Sequence, residues 1–223
     1  MLVPTFQPLT VGRVPEAFSH SDYLFEIKWD GFRSLVRIEQ GKCRLISRKA
    51  NEFNSFRVLR ESLLAELKVE SAVLDGDIVC LNSEGKPAFQ DLLFRRGDPR
   101  FVAFDLLWYN GQDLRYSPLT EKKQKLRSIL PTKSERIMYC DHVELDGEGL
   151  FRLACKNDLE GIVAKRKFGP YLPGQASWLK IRNTSYSQWE GRQDLFDRER
   201  ERDPDSSLWD NCALACETVL KVS

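Results

Sequence analysis

The chain has 223 residues, 42% of them hydrophobic and 30% charged, which is enough to bury a core in one large or two small domains. Lys and Arg number 34 against 33 Asp and Glu, so the formal charge is only +1. That excludes a nucleic-acid clamp built on overall basicity but leaves room for a local basic face. No apolar run approaches the ~20 residues needed to cross a bilayer, and residues 1–18 lack the basic and then apolar regions of a secretory signal. The expectation is a cytoplasmic protein that does not act at a membrane.

Strand signals dominate the first half. Residues 23–29 and 35–39 read as strands, and Gly41-Lys42 turns the chain into another at 43–47, forming a hairpin. Phe56, Leu59, Leu63, Leu64 and Leu67 mark one helical face, with Asn54 or Ser55 expected as N-cap. A strand over 72–81 closes at the polar turn Asn82-Ser83-Glu84-Gly85, and 89–94 reads as a short helix. Residues 101–107 form a buried strand that turns at Asn110-Gly111, and 120–130 a helix stopped by Pro131. A strand over 136–143, a helix over 148–157 and strands at 161–165 and 177–181 follow, with a Gly/Pro loop at 169–174. Many strands with few helices and short turns predict an α+β fold with largely antiparallel sheets.

The charge-dense stretch 194–205 reads as an exposed helix running into a mobile tail. Six cysteines (Cys43, Cys80, Cys140, Cys155, Cys212 and Cys216) include one close pair, C-x3-C at 212 and 216, with no histidine near it. They are expected as reduced thiols rather than as a zinc site or a disulfide framework. His20 and His142 are the only histidines, which disfavours histidine-based catalysis.

The chemistry-bearing segments begin with Lys28-Trp29-Asp30-Gly31-Phe32-Arg33, directly after a strand. A lysine entering an Asp-Gly turn is a candidate nucleophile; a plain hairpin turn with a solvated lysine is the alternative. Ser47-Arg48 ends the next strand. Leu74-Asp75-Gly76-Asp77 sets two carboxylates around a glycine, and Phe104-Asp105 sets an aromatic beside an acid. Glu160-Gly161-Ile162-Val163-Ala164-Lys165 brings an acid and a lysine, and alternation puts Lys180 and Arg182 on one strand face. Taken singly, each has an ordinary reading as a core or surface residue.

In this order the segments resemble the covalent nucleotidyltransferases: ATP-dependent DNA ligases, RNA ligases and mRNA capping enzymes. The wording FEIKWDGFRS, LLFRR, EGIVAKR and WLKIRN is most similar to the ligase domain of bacterial end-joining DNA ligases. The resemblance runs over residues 23–183 and implies an ATP-grasp-like adenylation domain, with two antiparallel sheets around a nucleotide cleft, flanked by helices. It implies that Lys28 attacks the α-phosphate of ATP to form lysyl-AMP, which is then passed to the 5′-phosphate of nicked DNA. By the same resemblance Glu26 and the backbone of Ile27 read the adenine edge, Phe104 stacks on the base, and Arg33 and Arg48 contact ribose or phosphate. Glu160 serves a divalent metal, Mg²⁺ or Mn²⁺, while Lys165, Lys180 and Arg182 contact phosphate. An RNA ligase, a capping-type enzyme or a degenerate nucleotide- or DNA-binding domain is the alternative outcome.

Three departures accompany the resemblance. Asp77, assigned to ribose or metal, stands where the family usually has Glu. Lys180-x-Arg182 stands where it usually has Lys-x-Lys. The 41 residues after Arg182 are too few for an OB-fold of five strands. The expected organisation is therefore an adenylation domain over 1–190 with a charged tail over 191–223. Such a chain would act weakly on nicked duplex DNA, helped by an OB-fold or end-joining repair protein in trans.

Overall fold

The computed structural model describes residues 3–174, 177–192 and 194–195. In chain order the strands and helices are β1 (Gly12–Arg13), β2 (Tyr23–Ile27), β3 (Phe32–Glu39), β4 (Lys42–Ser47), α1 (Arg57–Glu66), β5 (Ala72–Val79), α2 (Phe89–Leu93) and β6 (Arg100–Tyr109). These lead to β7 (Gln112–Asp113), α3 (Leu119–Ile129), β8 (Ile137–Tyr139), β9 (His142–Glu144), α4 (Gly147–Lys156), β10 (Gly161–Arg166) and β11 (Trp178–Arg182). A 3-10 turn follows at Ser187–Trp189.

The strands form two sheets. One runs β1-β11-β10-β2-β9; the other runs β4-β3-β5-β6-β7, with β8 also paired to β6. Pairing is antiparallel except at β1 with β11 and β6 with β8, so the expectation of an α+β fold with two mainly antiparallel sheets holds. Leu9, Val73, Val102, Phe104, Tyr171 and Trp178 pack between the sheets. Leu59, Leu63, Leu93 and Leu126 bring α1, α2 and α3 onto the outer side of the second sheet. Ala154 of α4 packs with Phe25, Ile162 and Ile181 on the outer side of the first. Each helix thus buries its apolar stripe on a sheet face.

Two local expectations are corrected. The strand expected over 136–143 is two strands: β8 joins β6 through Phe101↔Ile137, whereas β9 joins β2 through Leu24↔Glu144, so the chain changes sheets between them. The N-cap of α1 is Phe56, without a side-chain cap, rather than Asn54 or Ser55. Phe56 is buried against Phe53, and this aromatic anchor fixes where the helix begins.

α3 is the polar link between the sheets. Its adjacent residues Lys122 and Lys123 are both buried. Lys122 donates to Asp105 of β6 at 2.8 Å, and Lys123 to Glu26 of β2 at 2.5 Å and to the Cys140 carbonyl at 2.8 Å. Cys43, Cys80, Cys140 and Cys155 are free thiols. Cys212, Cys216 and residues 196–205 of the charged stretch lie outside the described residues. No helix among the described residues is long and apolar enough to cross a membrane.

Candidate active site

β2 ends at Ile27, and the backbone N–H of Lys28 donates to the Gly161 carbonyl at 2.9 Å, pinning the Lys28 turn to the start of β10. Gly161 has φ +138°, and a Cβ there would sit 2.1 Å from the Ile181 carbonyl oxygen. Only glycine lets β10 begin this close to β11, which is why it follows Glu160. The chain then turns at Asp30-Gly31, where a Cβ on Gly31 would lie 2.3 Å from the Ile78 carbonyl. The turn is therefore pressed against β5.

At this turn Lys28 Nζ donates to Glu160 Oε2. Glu160 is buried, and its pKa is raised by that burial against the attraction of Lys28. Asp77, half-buried on β5, is pushed up to about 6 by burial, opposed by Arg33 and Lys28 and reinforced by Asp75 and Glu160. Lys180 is pushed down to about 8 by burial and by repulsion from Arg182, Lys28 and Arg48. Burial also lowers Arg182, with Arg13 and Arg192 adding to the effect, and lowers Arg48 with help from Arg33. Cations that disfavour one another's charge around one cavity mark a place prepared for an anion.

Lys28, Arg33, Arg48, Asp77, Glu160, Lys180 and Arg182 line a single cavity of about 200 Å³, together with Glu26, Ile27, Phe104, Lys165 and Trp178. Every site residue expected from the sequence is therefore in one cleft, but the cleft has two ends. Lys28, Glu160, Lys180 and Arg182 gather at one end, where Lys180 interacts electrostatically with Arg182, Lys28 and Glu160. Lys165 is at the other end: it ion-pairs with Glu26 at 2.6 Å, with its ammonium 4.2 Å from the Phe104 ring centroid and 3.9 Å from that of Trp178. Lys165, expected to contact phosphate, thus lies beside Glu26 and Phe104, five positions along the chain from Glu160.

Burial alone would raise the pKa of Glu26, but Lys123 and Lys165 overcome it and hold the carboxylate below its usual value. A carboxylate has about four lone-pair sites, so two cations leave Glu26 able to accept from a base amino group. Arg33 makes a two-pronged contact with Asp75 at 2.6 and 2.5 Å and lies 4.8 Å from the Phe104 ring centroid. Asp75 also accepts from Tyr171 at 2.5 Å. Register shifts in the β5–β6 pairing on either side of Leu74-Asp75 set the acid inward.

Sequence reasoning missed Lys122, Lys123, Tyr171, Trp189 and Arg192. Trp189 and Arg192 lie in the stretch read as leading into a tail, yet both line the cleft. Packing runs on past residue 190 to Arg192 and Leu195.

Residues 1–182 match the sequence model described as "ATP dependent DNA ligase domain". The fold and the cleft accordingly define a nucleotidyltransferase domain of the ligase class. The crystal structure of the ligase domain of Mycobacterium tuberculosis LigD is 30% identical, with a TM-score of 0.68 over 79% of this chain and 59% of that one. The multifunctional non-homologous end joining protein LigD of Pseudomonas aeruginosa is 33% identical over 168 residues, 72% of this chain and 20% of that protein. A prophage-derived DNA ligase-like protein, LigB of Bacillus subtilis, is 29% identical over 190 residues, 81% of this chain and 68% of that protein. The chain belongs to the ATP-dependent DNA ligase domain family, and it spans about a fifth of the length of the end-joining relatives.

Proposed function

We propose that this chain is an ATP-dependent adenylyltransferase of DNA end joining or repair, with Lys28 as the nucleophile. The observation that carries the reading is the pinned Lys28 turn at the cation-rich end of a cleft whose other end holds Glu26 and Phe104. The base enters between Phe104 and the Glu26 carboxylate, and its phosphates lie toward Lys180 and Arg182. Lys28 Nζ, as the neutral amine, attacks the α-phosphorus. The N–P bond forms, the bond to the β-phosphate oxygen breaks, pyrophosphate leaves and the amine proton passes to solvent. Positioning and charge stabilisation do most of the work in such transfers. The AMP then passes to the 5′-phosphate of nicked duplex DNA. A solved relative described as mycobacterial DNA ligase D complexed with ATP supports the choice of nucleotide.

A divalent ion fits the donor set. Asp77 and Glu160 line the same cavity and Glu160 adds to Asp77's hold on its proton, while no larger His, Cys, Asp or Glu cluster exists among the described residues. One or two carboxylates plus phosphate and water is the complement that Mg²⁺ takes. When bound, the ion would neutralise phosphate charge.

The test is incubation with ATP labelled at the α-phosphate and Mg²⁺, followed by denaturing electrophoresis and intact mass. One added AMP is expected on wild type and none on Lys28→Ala. Equal labelling of that variant would remove Lys28 from its role, and label from GTP but not ATP would move the chain to the capping class.

A further inference from the structure

We infer that the segment from Tyr186 to Arg192 is a positioning element for the nucleophile end of the cleft: Arg192 fixes the turn that carries Lys28, and Trp189 fixes the guanidinium of Arg182. The inference rests on the adenylyltransferase reading above.

The segment leaves β11 and returns over the cleft. The Asn183 N–H donates to the Glu160 carbonyl at 3.0 Å, and the Gln188 side chain is stitched to the start of α2, accepting from Phe89 N–H at 3.0 Å and donating to the Pro87 carbonyl at 2.7 Å. This holds Tyr186 and Arg192 over Asp30, the residue two beyond Lys28. Asp30 is buried and accepts on one oxygen both from the Tyr186 hydroxyl, at 2.9 Å, and from the Arg192 guanidinium. Arg192 is itself fixed: its Nε donates to the Gln188 carbonyl at 3.2 Å, and its guanidinium lies 4.1 Å from the Phe89 ring centroid and 4.6 Å from that of Trp189. A buried carboxylate beside the nucleophile is thereby neutralised by a cation that cannot drift.

Trp189 has a second task. Arg182 also lies over its ring, at 4.9 Å, and the buried Nε of Arg182 has no hydrogen-bond partner among the described residues. The indole holds this cation where a hydrogen bond does not. A planar guanidinium stacks on indole more effectively than a compact ammonium. The arginine at 182, where lysine is usual in the resembled pattern, is thus matched to the tryptophan seven residues later.

The experiment is single-turnover self-adenylation across ATP concentrations, on chains whose melting is measured first. The set is wild type, Trp189→Leu, Arg182→Lys, the double variant, Arg192→Gln, Arg192→Lys and Tyr186→Phe. Trp189→Leu should raise half-saturating ATP about fivefold, as loss of a partly desolvated cation–π contact does. Arg182→Lys should do the same, and the double variant should be no worse than either single one. Arg192→Gln should lower the maximal rate about tenfold or more, as misplacement of a reacting group does, with Arg192→Lys keeping part of it and Tyr186→Phe, which leaves Asp30 its cation, lowering it less. Additive losses in the double variant, or folded variants all within twofold of wild type, would overturn the inference. Unlabelled wild type would instead overturn the adenylyltransferase reading and this inference with it.

Discussion

Glu26→Gln tests the charge arrangement at the base end most directly. The Glu26 side chain is 2% exposed, as are those of Lys123 and Lys165, and it neutralises both. Breaking a buried pair from one side costs ~3–5 kcal/mol, because the partner is left charged and unsolvated. Here one substitution strips two ammoniums, so the upper half of that range is expected. Domains of this size lose ~2–4 °C in Tm per kcal/mol, which gives a fall of roughly 8–20 °C. Lys123→Met should cost less, about 1–3 kcal/mol, because Glu26 keeps Lys165. The assay is urea unfolding followed by tryptophan fluorescence, read as a shift in midpoint at unchanged slope. The folded pKa of Glu26 lies below its unfolded value of ~4.3, so its contribution is complete above that pH and fades as pH falls through the lower folded value. The gap between variant and wild type should therefore close in acid. A Glu26→Gln protein within ~1 kcal/mol of wild type, or a Lys123→Met protein that is worse, would refute the reasoning.

Two further outcomes are expected. Lys180 loses its proton near pH 8, pushed down first by burial and then by neighbouring cations, so half-saturating ATP should climb above that pH. Lys180→Arg should flatten the profile, and a profile unchanged by that variant would separate Lys180 from the phosphates. Phe104→Leu keeps an apolar side chain facing the cavity but removes the ring, so ATP binding should weaken about fivefold, as loss of an aromatic contact does. Equal affinity by nucleotide titration would make Phe104 a packing residue only.

The sequence carried much of the strand pattern, because alternation and the Gly41-Lys42 and Asn110-Gly111 turns are local signals. It could not separate β8 from β9: Ile137 to Tyr139 and His142 to Glu144 are alike locally, and only long-range pairing assigns them to different sheets. The lining of the cleft was legible where a motif carried it, as with Lys28, Glu160 and Lys180. Lys122 and Lys123 were not, because lysines in the helix LTEKKQKLRSI read as solvated and their burial depends on carboxylates delivered by β6 and β2. Trp189 and Arg192 were hidden for a related reason: the polar run around them has no period, and the return to Asp30 is a tertiary contact.

Consecutive lysines of α3 hold opposite walls of the cleft, and this makes the helix a spacer of fixed gauge. Were the sheets to part, desolvated ion pairs would have to stretch without water to replace them, so the walls resist the breathing that a purely greasy interface would allow. The chain completes this ordering when it folds, and a nucleotide meets a slot whose width is already set. The interior thus behaves as a rigid die, its gauge set by two buried ion pairs one residue apart.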